Sequence, residues 1–338
     1  MKNKIKLLHT GLLLAFLLTS SGFTGENEKL AQTGFQFLSV ISDARAAAMA
    51  EAMTSLQVGS SALFFNPAGM ANMSGYIDMS ASSNQWIADI SHNTFSLAIN
   101  PAKGNYGVFG VSVQSVNYGE FYGTRVDKSK DLGYVDTEIF ELNSMAIGLG
   151  YAKALTDRFS VGGQVRWVKQ DLGESKIPVI SAEQDTSLKA ITNDLTPLAF
   201  DFGTQFKTGY KSLVFGMSVR NFSKEIKYVE EGFQLPLVFN LGISMDLMDF
   251  VEKPPFDQSL YLAIDATHFR SHGEQVKVGL DYRLMDMLSL RGGYVSNNDE
   301  NDFTFGVGVA YMGLAFDYAY TPFGVFDNVK RMTVRFSL

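Results

Sequence analysis

The chain has no cysteine. Disulfides, thiolate nucleophiles and thiolate metal sites are therefore excluded, and no thiol follows the N-terminal apolar run to carry a lipid. Histidine is scarce: of the four, only His92, His268 and His272 lie beyond residue 22. A basic excess is also missing, with 28 Lys and Arg against 35 Asp and Glu. Phosphate binding needs a basic surface, so nucleic acid is not an expected partner. No apolar run after the N-terminal one approaches the length of about 20 residues that a spanning helix requires. No Pro/Ser-rich linker or charge block divides the chain.

What is present begins with an export signal. Lys2, Lys4 and Lys6 precede an apolar stretch that includes Leu12-Leu13-Leu14-Ala15-Phe16-Leu17-Leu18, and Ser20, Ser21 and Gly22 offer a cleavage site. Residues 1–22 are read as a signal peptide. Their removal takes away three lysines and no acid, moving the net charge from −7 to −10.

One segment, residues 42–56, reads as helix, with Ser42 or Asp43 as its N-cap and the alanine-rich run Ala46-Ala47-Ala48-Met49-Ala50 inside it. Asn66-Pro67-Ala68-Gly69 reads as the turn that ends this region. From about residue 77 the period is two. Phe303, Phe305, Val307 and Val309 alternate with Thr304, Gly306 and Gly308, and Phe239, Leu241 and Ile243 with Asn240, Gly242 and Ser244. This is the strand signature, and also the dyad pattern of membrane barrels. Fourteen strands are expected, starting near Tyr76, Ser91, Tyr106, Leu142, Phe159, Pro197, Ser212, Leu237, Ser259, Gln275, Leu288, Asp302, Leu314 and Val329. Long connections (122–141, 172–193 and 221–234) alternate with short ones (156–158 and 208–211), as expected for a barrel with long loops outside and both termini periplasmic. The expected fold is all-β: a fourteen-stranded antiparallel transmembrane barrel (76–338) with a short helical hatch (23–75) in its lumen. A soluble barrel shows the same alternation with its apolar set turned inward.

Period two also sorts the polar residues. Gln164, Arg166, Asp201, Arg220, Asp246, Asp265, Lys277, Asp281, Arg283, Arg291, Asp317 and Arg335 are expected to face the lumen. Both signs are present, and buried charges are tolerated only in pairs, so they read as a bracing network between hatch and wall. Asn66, Pro67, Ala68 and Gly69 form the candidate hatch turn. Gly107, Gly110 and Gly119 mark a strand that a kink could open sideways. Leu38, Ile41, Met49, Met53, Phe64 and Phe65 are candidates to line an apolar pocket beside the hatch.

No catalytic constellation is visible, and neither a cofactor nor a metal is expected. His268 and His272 flank a turn without a ligand set around them. The acidic run 297–302 offers oxygen ligands for Ca²⁺ but lacks the glycine and spacing of an EF-hand loop, so it reads as a solvated loop.

Phe37-Leu38-Ser39-Val40-Ile41-Ser42-Asp43-Ala44-Arg45-Ala46-Ala47-Ala48-Met49, followed by Asn66-Pro67-Ala68-Gly69-Met70, resembles the N-terminal signature of the PorV/PorQ family. Residues 151–163 and 232–237 are similar to further shared segments. That family is related to the FadL fatty-acid channels. The resemblance implies fourteen strands around a hatch, in the outer membrane of a Bacteroidetes-like Gram-negative bacterium. It also implies a non-enzymatic role in type IX secretion, docking cargo or partner proteins. The alternative is a FadL-like channel for hydrophobic small molecules, with a hydrophobic ligand or detergent in the lumen. Outer-membrane lipid is the expected surroundings in either case.

Overall fold

The computed structural model describes residues 32–180, 186–228, 231–252, 256–298, 302–324 and 328–338. The expected signal peptide lies outside these residues. Strands follow in the order β1 (Ile77–Gln85), β2 (Ser91–Ile99), β3 (Val108–Val126), β4 (Tyr134–Ala154), β5 (Phe159–Ile180), β6 (Thr186–Leu195), β7 (Leu198–Lys207), β8 (Val214–Phe222), β9 (Ile226–Lys227), β10 (Gly232–Phe233), β11 (Val238–Asp246), β12 (Gln258–Phe269), β13 (Gln275–Leu284), β14 (Leu288–Val295), β15 (Phe303–Tyr311), β16 (Leu314–Thr321) and β17 (Val329–Ser337). Every pairing in the wall is antiparallel. β1 joins β17, and β4–β5 pairing completes the ring. β6 continues the line of β7 along β5 across Thr196-Pro197, where Gln170 pairs with Leu195 and Trp167 with Leu198. The wall therefore has fourteen positions. β9 and β10 form a separate small hairpin.

The direction of the side chains decides between a soluble and a membrane barrel. Phe303, Phe305, Val307 and Val309 of β15 are exposed on the outside, whereas Thr304 and Gly308 are buried on the inside. Leu241 and Ile243 point outward and Asn240 and Ser244 inward on β11. Aromatics ring both edges of this apolar band: Tyr76, Tyr106, Tyr151, Tyr210 and Tyr311 at one rim, and Trp167, Phe222, Tyr294, Phe303 and Tyr320 towards the other. Burying such a surface in water would be costly, and lipid removes the cost. The barrel is transmembrane. Tyr282 and Phe336, at the outward parity of β13 and β17, are half-buried, and Tyr282 donates to Gln258 (2.7 Å).

At one rim, the turn rim, connections are short, as at Leu155–Arg158 and Met312-Gly313. The connections expected as long loops at the other rim are largely strand. Asn117 pairs with Asn143, Asn143 with Asp171 and Asp171 with Asp194, one row across four strands. β4–β5 pairing ends at this row, while β3–β4 and β5–β6 continue beyond it. The sheet splits here into two hairpin arms. Each arm begins with a bulge at an Asx-x-Gly turn. Asn117 accepts from the amide of Gly119 (2.7 Å) and Asp171 from that of Gly173 (3.0 Å), with φ of 80° and 74° at the glycines. Such bulges bend a strand and release it from its neighbour's register.

Inside the ring runs the N-terminal segment. Thr33 bridges to Gln234 at the arm rim, and the chain descends to Tyr76, whose amide donates to the Leu338 carbonyl at the turn rim. β1 starts beside the C-terminus, but residue 33 stands at the opposite mouth. The expected helix 42–56 is shortened, to α1 (Ala44–Ala48), capped by Asp43, which accepts from the Ala46 amide (2.8 Å). Ala50 and Glu51 have positive φ. The Glu51 amide closes the turn on the Ala46 carbonyl (2.8 Å), and the wall adds further bonds: Thr304 bonds the Ala48 carbonyl and the Ala50 amide, and Asp265 accepts from the Thr54 amide (3.0 Å).

Candidate functional site

The site is built from three layers in the lumen: the hatch turn, an ionic layer and a cavity at the arm rim. In the hatch turn, Asn66 is 1% exposed. Its carbonyl accepts from the Ala68 amide (3.1 Å), and its amide donates to the carbonyls of Thr54 (2.7 Å) and Thr204 (3.0 Å). Pro67, Ala68, Gly69 and Met70 form the 3₁₀ turn that Asn66 caps. The wall admits this turn because glycine faces it. A Cβ on Gly203 would overlap Asn66, and one on Gly162 would fall within 3.0 Å of the Pro67–Ala68 backbone. The same device accommodates Ala48 at Gly306 and Met49 at Gly279.

The ionic layer has two main centres. Asp201 takes a two-pronged contact from Arg166 (2.7 and 2.8 Å), a bond from Gln164 (3.1 Å) and one from the Asn221 amide (2.7 Å). Asp281, fully buried, is met by Arg45 (3.2 Å), Arg283 (2.9 Å) and Arg291 (2.9 Å). Arg291 reaches on to Asp317 (2.6 Å), which also pairs with Arg335. Lys277 pairs with Glu51 of the hatch at 2.7 Å. Three of the residues expected in the network have other partners. Arg220 donates to the Leu38 carbonyl (3.4 Å), and Asp265 accepts from the Thr54 amide. Asp246 caps the 3₁₀ turn Leu247–Phe250 at the turn rim, accepting from the amides of Met248 and Leu260 (2.9 Å each). Sequence reasoning missed Arg45 and Glu51, the hatch's own contribution, and Arg331, which donates to the Ile41 carbonyl (2.9 Å) and Thr321 (2.9 Å). A charged residue inside an alanine run was the available signal for Arg45.

A cavity of about 740 Å³ opens at the arm rim above this layer. Phe35, Phe37 and Val40 of the hatch lie against it, together with Trp86, Ile90, His92, Tyr118, Gln170, Leu172, Tyr228 and Phe233. Tyr118 and Leu172 are the middle residues of the two Asx-x-Gly turns, so the bulges that start the arms also furnish its wall. Tyr228 stacks on Phe233 (5.5 Å) and Phe233 on Phe35 (6.2 Å). Trp86 meets Phe323 edge-on (4.9 Å) and lies 5.4 Å from the Arg331 guanidinium. The residues expected to line an apolar pocket belong instead to packed clusters. Leu38, Ile41, Met49, Met53 and Phe65 are 5% exposed or less, with Phe64 packed against them. They fill the lumen between hatch and wall, and the open space lies further towards the arm rim. Nothing in the periodicity distinguished Phe35 or Trp86 from core residues.

Gly107, Gly110 and Gly119 do not open the wall in this conformation. Pairing of β3 is continuous with both β2 and β4 from Phe109 to Asn117. Gly110 faces Leu63 and Met70 of the hatch, and Gly107 takes a turn conformation (φ 81°). The ladder shifts at Tyr118-Gly119 and again at Gly123. His268 pairs with Glu274 (3.1 Å), and His272 stacks on Phe269 (4.0 Å). Residues 299–301 of the acidic run lie outside the described residues.

No family model matches the chain, and no curated protein matches it in sequence. Solved structures do match. The toluene transporter TbuX of Ralstonia pickettii aligns over 87% of this chain and 98% of its own, at TM-score 0.57 and 14% identity. CymD, a monoaromatic hydrocarbon channel, aligns over 88% and 97%, at 0.56 and 12%. A Pseudomonas aeruginosa FadL homologue aligns over 88% and 98%, at 0.50 and 14%. The barrel has the FadL-type fold. In this FadL-type barrel the fourteen-strand ring is common ground with those structures, and at such identities the likeness extends to the fold alone.

Proposed function

We propose that this protein is a non-enzymatic outer-membrane channel for hydrophobic small molecules in a Gram-negative bacterium. The arm-rim cavity is its receiving chamber and the hatch the barrier beneath. The observation that carries this reading is the chamber itself. Its volume suits a small ligand, its walls are aromatic and aliphatic with a few polar groups, and it lies against the hatch at Phe35 and Phe37. The fold it shares with hydrocarbon transporters supports the reading. In this scheme residues 1–22 are removed as a signal, 23–75 form the hatch, 76–338 form the barrel, and the arm rim faces outward. The charged layer serves as bracing: its charges are paired within the wall and, at Arg45–Asp281 and Lys277–Glu51, between hatch and wall, instead of ringing an open pore.

The test is uptake of radiolabelled toluene by a Gram-negative host that lacks hydrocarbon channels of its own. Cells expressing the protein are expected to take it up several-fold faster than vector controls, and Phe35→Asp is expected to abolish the gain. Uptake at vector level, with the barrel folded in the membrane, refutes the reading. A second reading, docking of secreted proteins as in type IX secretion, draws on the family resemblance and on the two arms, which offer surface beyond the wall. Affinity purification from outer membranes that recovers no cargo or secretion component counts against it.

A further inference from the structure

The chamber is not uniformly apolar: Gln36, Gln170 and Glu231 line it, and two further polar groups stand out by their burial. His92 of β2 is 2% exposed and lines the chamber, and its Nδ1 has no hydrogen-bond partner. Tyr228 lines the same chamber, and its hydroxyl is buried and likewise without a partner. The ring contacts here are aromatic: Trp86 lies 6.3 Å from the His92 ring, and Phe233 stacks on the ring of Tyr228. Other polar groups nearby are satisfied, as with Tyr118, whose hydroxyl bonds Ser144 at 3.2 Å. A buried polar atom without a partner is unfavourable, and native folds keep few of them. Two on residues that line one cavity are relieved together by a ligand that brings its own hydrogen-bonding group and shifts these side chains towards it.

Resting on the chamber reading above, we propose that His92 and Tyr228 make the chamber selective for hydroxylated monoaromatic molecules, phenols and aryl alcohols, over the bare hydrocarbons. The ring of such a ligand packs among Phe35, Trp86 and Phe233. Its hydroxyl is both donor and acceptor, so it can answer a ring nitrogen of His92 in either tautomer and the phenol of Tyr228. A bare hydrocarbon fills the same space and leaves both atoms unpaired. A site built around a hydroxyl discriminates against the analogue that lacks it for this reason.

The experiment is equilibrium dialysis of the full chain in nanodiscs, corrected against empty nanodiscs, with p-cresol and toluene as the paired probes. Tyr228→Phe and His92→Phe are each expected to weaken p-cresol binding about tenfold and to leave toluene binding within about twofold, the size of one good hydrogen bond. His92→Gln keeps a hydrogen-bonding amide and is expected to retain most of the p-cresol affinity, which separates lost bonding from lost packing. If p-cresol binding is unchanged in both Phe variants, or if both ligands weaken equally, the selectivity proposal is overturned while the chamber stands. If the wild type binds neither ligand, the chamber reading falls with it.

Discussion

Asp281 has no solvent to turn to and three guanidiniums around it. Replacing it by Asn removes the charge that makes Arg45, Arg283 and Arg291 tolerable together in a closed lumen. The expected cost of Asp281→Asn is about 3–5 kcal/mol, because Arg45 is left buried without a carboxylate, although Arg291 keeps Asp317. Loss of the folded barrel's compact band in heat-titrated, unboiled gels measures it. Asn66 and Gly203 give a sharper case, since the glycine exists to make room for the amide. Gly203→Ala is expected to destabilise by about 1–3 kcal/mol through overpacking. Asn66→Ala costs a similar amount through unsatisfied buried backbone groups. The double variant should cost clearly less than the sum, because removing the amide removes the clash. A strictly additive cycle in thermal unfolding rejects that account. Inward charge was readable from period two at Arg166, Asp201, Asp281, Arg291 and Asp317. The partners were not, because pairing depends on how the hatch threads the lumen. Arg45 and Glu51 belong to a segment with no period to read.

At the scale of elements, the wall was legible almost to the residue. β2, β5, β13, β14, β16 and β17 begin at Ser91, Phe159, Gln275, Leu288, Leu314 and Val329, where alternation resumes after each turn. The arms were not legible. Residues 122–141 carry charges and glycines that read as loop, yet they pair as β3–β4 because hairpin hydrogen bonds need no apolar face. The helix was over-read for a physical reason as well. Alanine favours helix locally, but the backbone turns left-handed at Ala50 and Glu51, bonds back to Ala46 and Ala47, and takes a further bond from Thr304 of the wall. Gly119 tests the arm. A Cβ there meets nothing within 4 Å, so substitution carries only the cost of its left-handed backbone, about 1–2 kcal/mol. Gly119→Asn, which tolerates that conformation, should preserve the arm, and Gly119→Val should not. Amide hydrogen exchange at residues 120–126 is expected to stay slow in the first variant and to accelerate in the second.

The whole molecule is a ring with its own leader packed inside, and the absence of cysteine makes that arrangement easy to trap. The hydroxyl of Ser96 donates to that of Ser60 across 2.9 Å between β2 and the hatch, so the two side chains meet end to end. In the variant with both serines replaced by cysteine, oxidation should leave ligand binding in the chamber intact and stop uptake, with reduction restoring it. Unchanged uptake in the fully oxidised protein would show that passage runs past a stationary hatch.

The path of that leader, from Thr33 at one mouth to Tyr76 beside Leu338 at the other, bears on how the protein is made. The seam between β1 and β17 is the join between the first wall strand and the last. Zipping it before the leader is in position would leave a free chain end to be pushed through the full bore, past Asp281 and its arginines. Zipping it afterwards lets each charge find its partner while the lumen is still open to water. Assembly in which the last strand closes over a seated hatch is the low-barrier order. A defect in the hatch should therefore surface during biogenesis, as barrels that fail to close, and not only later as barrels that leak.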